Sequence, residues 1–179
     1  LAYAAWLEKA RESHNPLHVI YINTSLKVKA HAHRAVPTIT CTSSNVMQTI
    51  LQATAQDPSI SIWYGPDTYM GHNLKVMLER YAQMSDSEIA SIHPKHNQVS
   101  IKRLLSQFSY FKQGNCVVHH MFGAEVVSRV REHYADALHT AHLEVPGEMF
   151  ELAVEAQKKG RGVVGSTSNI LQFILSETE

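Results

Sequence analysis

Short apolar runs alternate along the whole chain with longer segments in which apolar side chains recur every three or four positions. The first pattern fits strands buried on both faces, the second amphipathic helices. Strands are expected at residues 18–23, 38–42, 60–64, 117–119, 138–142 and 162–164. Helices are expected at 4–11, 25–33, 45–56, 69–83, 99–107, 124–134, 148–159 and 167–176. Strands alternating with helices of this length call for an α/β fold of βαβ units with parallel sheets.

Boundary signals agree with this division. Ser85-Asp86-Ser87-Glu88 has the spacing of a capping box and opens a further short helix. Lys158-Lys159-Gly160 reads as a basic last turn closed by glycine. Asp57-Pro58 and Gly65-Pro66 are turn dipeptides. The polar stretch 91–98 (SIHPKHNQ) is the best candidate for a linker or insertion. It divides the chain into two α/β units, 1–97 and 98–179, with three expected strands in each and no sequence repeat between them.

Composition narrows the class. The 179 residues are 44% hydrophobic and 18% charged, as in a globular protein of one or two domains. Sixteen basic residues match sixteen acidic ones, so no basic stripe points to nucleic acid or to a membrane surface. No apolar run approaches the roughly 18 residues that a membrane span needs. The chain opens on Leu1 already in a helical pattern, with no signal-peptide pattern, and is expected to be a piece of a longer protein. Two cysteines, Cys41 and Cys116, are too few for a disulfide scaffold or a self-contained zinc or iron–sulfur site. The twelve histidines include no HExxH pattern, and most are expected on the surface or in loops.

Polar residues gather where the expected strands end: Tyr21 to Ser25, Cys41 to Asn45, Gly65 to Asp67, His119-His120, His142 to Glu144 and Gly165 to Ser168. Open parallel sheets bind ligands outside these carboxyl ends, so a composite site is expected there. The same residue types also cap helices, and Ser44, Asn45 and Ser168 are read as caps. Tyr21, His119, His142 and Glu144 are not usual caps. Ser43 and Thr167 sit at helix starts, where hydroxyls and backbone N–H groups hold carboxylates or phosphates. Cys116 lies beside an apolar strand, where a lone cysteine is ordinarily a small core residue. Gly114 before it and His119 after it keep a ligand role open.

Six segments, in order, carry a resemblance: YINTS at 21–25, TCTSSN at 40–45, YGPD at 64–67, GNCVVHHMF at 114–122, HLE at 142–144 and VGSTSNI at 164–170. Together they resemble the quinolinate synthase family, with the nearer likeness to plant-type members around HPKHN and in the helix between Glu144 and Gly165. The resemblance implies a fold of three pseudo-symmetric α/β domains, of which this chain would hold the second and most of the third. It implies condensation of iminosuccinate with dihydroxyacetone phosphate to quinolinate, with loss of phosphate and water. It also implies a 4Fe–4S cluster on three cysteines, with one iron open to substrate as Lewis acid.

Carried over on matching motifs, Cys116 is the cluster ligand in this chain, the other two lying outside it. Tyr21 and Asn23 match a substrate-contacting Tyr-x-Asn, and Ser43 a serine on a substrate carboxylate. His142 and Glu144 match a His-Pro-Glu motif, Thr167 the threonine of a Gly-Ser-Thr turn, and His119 a histidine near the cluster. Leu143 stands where the family has proline, which puts only the local backbone shape in question. Asn23, Ser43, Thr167 and His142 can donate to a dicarboxylate. Glu144 is the expected general base, with Tyr21 and His119 as proton donors. A homodimer and a plastid stroma are implied if the protein is plant-type, a cytoplasmic enzyme otherwise, and the chain alone is expected to be inactive. Two other readings use the same turns: a metal-free enzyme acting on sugar phosphates, and a non-catalytic two-lobed module that binds small anions.

Overall fold

The computed structural model describes residues 2–114 and 121–178, which fold as parts of two compact units, Leu1–Gly114 and Asn115–Glu179. The first begins with α1 (Ala2–Glu12), β1 (Pro16–Tyr21), α2 (Leu26–Ala35), β2 (Thr38–Cys41) and α3 (Val46–Gln56). It continues with β3 (Ser61–Gly65), α4 (Thr68–Tyr81), α5 (Asp86–Ile92), α6 (Gln98–Ser106) and β4 (Phe108–Tyr110). The second contains α7 (Ala124–His133), β5 (His139–His142), α8 (Gly147–Lys158), β6 (Gly162–Gly165) and α9 (Thr167–Ser176). The expected strand 117–119 lies outside the described residues.

Every strand pairing is parallel, as the alternation of strands and helices requires. The first unit has the sheet order β2-β1-β3-β4, the second the pair β5-β6. Alignment of Tyr21 with Cys41, of Ile20 with Gly65 and of Tyr64 with Tyr110 brings the four carboxyl ends to one edge of the first sheet. In the second, His142 aligns with Gly165.

The capping box read at Ser85 is present, with Ser85 Oγ accepting from Glu88 N and the Glu88 carboxylate accepting from Ser85 N. Gly160 follows α8 with φ of +69°, the left-handed residue a helix stop calls for. Three expectations need correction. Strand β4 was not foreseen. Three residues directly after a helix are too few to show a period, and only pairing with β3 and burial of Phe108 make them a strand. Ser166, not Ser168, caps α9: its Oγ accepts from Asn169 N and its own N–H donates to Asn169 Oδ1. The stretch 91–98, read as a linker or insertion, is packed within the first unit. His93 and His96 are 7% and 5% exposed, and their rings stand 5.0 Å apart against α3, bonded to Gln52 and to the Leu51 carbonyl.

A third buried histidine sits in the first core. Leu7 and Ile20 close with Ala32 and Val36 into an apolar cluster, flanked by Tyr3 and Trp6. His18, in mid-β1, is fully buried beside it. Its Nε2 lies 2.7 Å from the Tyr3 hydroxyl and its Nδ1 3.2 Å from Thr38 Oγ1, which in turn lies 2.8 Å from the Val36 carbonyl. A carbonyl only accepts, so Thr38 donates to Val36 and His18 Nδ1–H donates to Thr38; with the buried ring neutral, Nε2 accepts from Tyr3 O–H. Burial lowers the ring's pKa from 6.5 to about 3, which keeps it neutral.

Candidate active site

In the first unit, β1 delivers Tyr21 to the carboxyl edge with 7% exposure, so its ring is part of the core. The chain then turns, and Ser25 caps α2 by accepting from Val28 N at 3.4 Å. That turn folds Asn23 back, its Nδ2 donating to the Tyr21 hydroxyl at 3.5 Å. The Tyr-x-Asn pair thus forms one polar group of two side chains. The next strand end is its neighbour, because Ile22 N donates to the Cys41 carbonyl at 2.8 Å and extends the ladder past Tyr21.

Ser43 lies in the turn between β2 and α3. Asn45 occupies the N-cap position, but its Oδ1 accepts from Thr42 N at 2.8 Å and from the Thr42 hydroxyl at 3.2 Å and does not cap the helix. Ser44 Oγ bonds Thr42 Oγ1 at 2.9 Å. The side chains read as caps are therefore spent on bracing the turn that presents Ser43. Asp67, in the third strand end, does cap: its Oδ1 accepts from Met70 N at 2.7 Å. The next residue, Thr68, exchanges two hydrogen bonds with Gly114, a contact the sequence reading missed.

Cys41 is 1% exposed in β2, and burial pushes its thiol up, against a weaker opposing bond to Thr49. A thiol held protonated in a strand is a core residue and a poor ligand. Cys116 and His119 lie outside the described residues. Among the described residues, no three His, Cys, Asp or Glu side chains are grouped to hold a metal ion. For a 4Fe–4S cluster, this chain offers the chemistry of one corner. Cys116 can supply a thiolate by its residue type.

In the second unit, β5 ends at His142, whose Nδ1 lies 3.2 Å from Glu144 Oε2. Side-chain exposures of 20% and 11% leave this pair largely shielded from water. The same Nδ1 lies 3.4 Å from Glu144 N. One tautomer cannot serve both contacts. Protonated, Nδ1 donates to the carboxylate; deprotonated, it accepts from the amide. Leu143 N donates to the Gly165 carbonyl at 3.2 Å and Val145 N to His142 O at 3.2 Å, so the turn is locked onto β6. Leu143 makes there a bond that proline has no N–H to make. The register places Gly165 beside His142, and Thr167 opens α9 with its side chain exposed. His142 and Glu144 are thus in contact, and Thr167 follows from the adjoining strand end.

The family model described as Quinolinate synthetase A protein matches residues 2–179. The chain is 61% identical over 173 residues to "Quinolinate synthase, chloroplastic" of Oryza sativa subsp. japonica, covering 97% of this chain and 24% of the relative. It is 59% identical over 178 residues to the protein of the same name in Arabidopsis thaliana, covering 99% and 25%. A bacterial relative, "Quinolinate synthase" of Rhodopirellula baltica, is 28% identical over 174 residues, 96% of this chain and 41% of its own. The chain spans about a quarter of the length of the plant relatives it matches. With the family model matched along nearly its whole length, the chain belongs to the quinolinate synthase family.

Proposed function

We propose that the chain is the central part of a plant-type quinolinate synthase acting in NAD biosynthesis. The full protein would condense iminosuccinate with dihydroxyacetone phosphate to quinolinate, releasing phosphate and water. The observation that carries this reading is the shielded His142–Glu144 pair at a strand end, next to the Gly165–Thr167 turn. The chloroplastic names of the plant relatives support a plastid location, and a homodimer is proposed with it.

Each residue has work that suits its chemistry. Glu144 accepts the proton that must leave carbon for the ring to form, and the adjacent His142 Nδ1 changes partner as the carboxylate gains or loses charge. Asn23 and the Ser43 and Thr167 hydroxyls donate to substrate carboxylates, and the Tyr21 hydroxyl returns a proton. His119 is proposed as a second donor and Cys116 as a cluster ligand. When bound, the 4Fe–4S cluster supplies an open iron that polarises substrate oxygen as a Lewis acid.

The experiment is turnover of both substrates by the anaerobically purified full-length protein, with and without Glu144→Gln. Quinolinate should form, and the variant should lose on the order of a hundredfold in rate while keeping its cluster. No quinolinate from the intact protein would refute the reading, and a variant at the parent rate would remove Glu144 from the reaction.

A further inference from the structure

Lys29, the fourth residue of α2, turns back on the loop before its own helix: its ammonium donates to the Ile22 carbonyl at 2.6 Å. Helix side chains lean toward the helix start, which carries the lysine over the first turn to that carbonyl. The helix gains nothing from a charge placed there. A cation near a helix start opposes the dipole, and the first turn of α2 has no acidic residue to balance it.

The bond acts on the chain just before Asn23. Ile22 N belongs to the Tyr21–Ile22 peptide plane and donates to the Cys41 carbonyl at 2.8 Å. Ile22 O belongs to the Ile22–Asn23 plane and accepts from Lys29. Both planes flanking Ile22 are thus held, one by the neighbouring strand and one by the lysine. The contact from Asn23 Nδ2 to the Tyr21 hydroxyl, at 3.5 Å, is long for a hydrogen bond, so the placing of Asn23 falls on its backbone.

We propose that Lys29 is a positioning residue: by fixing the Ile22–Asn23 peptide it aims the Asn23 amide at the substrate carboxylate. The inference rests on the reading of Asn23 as a donor to that carboxylate. A charge-assisted bond to a carbonyl is among the stronger ways to hold a turn, and a donor displaced by a fraction of an ångström loses much of its effect on the bound dicarboxylate. Lys29→Met keeps an unbranched side chain that suits a helix and loses the donor. Lys29→Arg keeps a donor.

The test uses the full-length protein, reconstituted anaerobically, as parent, Lys29→Met, Lys29→Arg, Asn23→Ala and the double variant Lys29→Met with Asn23→Ala. KM for iminosuccinate, KM for dihydroxyacetone phosphate and kcat are read separately, and thermal unfolding shows that each protein is folded at the assay temperature. Lys29→Met should raise KM for iminosuccinate about tenfold and leave that for dihydroxyacetone phosphate within about twofold. Lys29→Arg should recover most of the loss. In the Asn23→Ala background Lys29→Met should cost nothing further, because the group it aims is gone. Parental kinetics in Lys29→Met overturn the proposal. So does an equal loss with and without Asn23, or a loss seen only where the variant is unfolding. A rise confined to dihydroxyacetone phosphate overturns it as well, since Lys29 would then act on the phosphate itself. Parental kinetics in Asn23→Ala overturn the reading of Asn23, and the role of Lys29 with it.

Discussion

His18 gives the fold a defined acid sensitivity. The ring is neutral when folded, with a pKa lowered from 6.5 to about 3, chiefly by burial and secondarily by His33. The unfolded chain therefore binds a proton that the folded chain refuses between pH 6.5 and about 3. Stability is complete above that window and falls as pH drops through it. From pH 6.5 to about 5 the loss from this one group is about 2 kcal/mol, at 1.36 kcal/mol per unit. Burial lowers His93 as well, with the same sign, so the acid limb has two contributors. Asp57 and Glu88 are held below the carboxylate range by bonds to Ser59 and Ser85, and their losses come at lower pH. His18→Leu isolates the first contributor. It leaves Thr38 bonded to Val36 but strips the Tyr3 hydroxyl of its acceptor, costing about 1–3 kcal/mol near neutrality. The assay is urea unfolding at about pH 7.5 and about pH 5. It is followed by fluorescence of Trp6 and Trp63, whose rings stand 5.2 Å apart beside this core. The parent should lose about 2 kcal/mol more than His18→Leu on acidification. Equal acid losses in the two proteins would refute a neutral, proton-excluding His18.

Two further perturbations follow. Tyr21→Phe keeps a ring that is part of the core and removes the hydroxyl that Asn23 bonds; in the full-length enzyme the rate should fall about tenfold or more with substrate affinity little changed. A loss confined to affinity would make Tyr21 a binding residue. Asp67→Ala removes the side-chain cap of α4 and should cost about 1–2 kcal/mol in urea unfolding, while Asp67→Ser recovers most of it; no cost from Asp67→Ala would contradict the capping geometry.

The longer helices were legible from apolar side chains recurring every three or four positions, and their ends fell within about two residues of the reading. α5 was found from its capping box alone. The residues misjudged are those whose state depends on a distant partner. His18, His93 and His96 are polar by type, and only Tyr3, Gln52 and the Leu51 carbonyl let them be buried. Ser166 is the exception among them: Asn169 three residues on selects it over Ser168 as the cap, a spacing visible in the sequence. For the candidate site, the HLE segment marked two side chains, His142 and Glu144, that the structure holds 3.2 Å apart. The Thr68–Gly114 contact had no such signal, because it joins positions far apart in the chain through a backbone approach.

The iron–sulfur reading needs Cys116 as a ligand and Cys41 as a core residue. Full-length protein carrying Cys116→Ser or Cys41→Ser, reconstituted anaerobically and read by iron content and visible absorbance, separates them. Cys41 is 1% exposed in β2, so its replacement should leave the cluster in place at a stability cost of about 1–3 kcal/mol. Cys116→Ser should hold no cluster, because a serine hydroxyl does not replace a thiolate on iron. A normal cluster in Cys116→Ser, or loss of the cluster only in Cys41→Ser, would contradict the account.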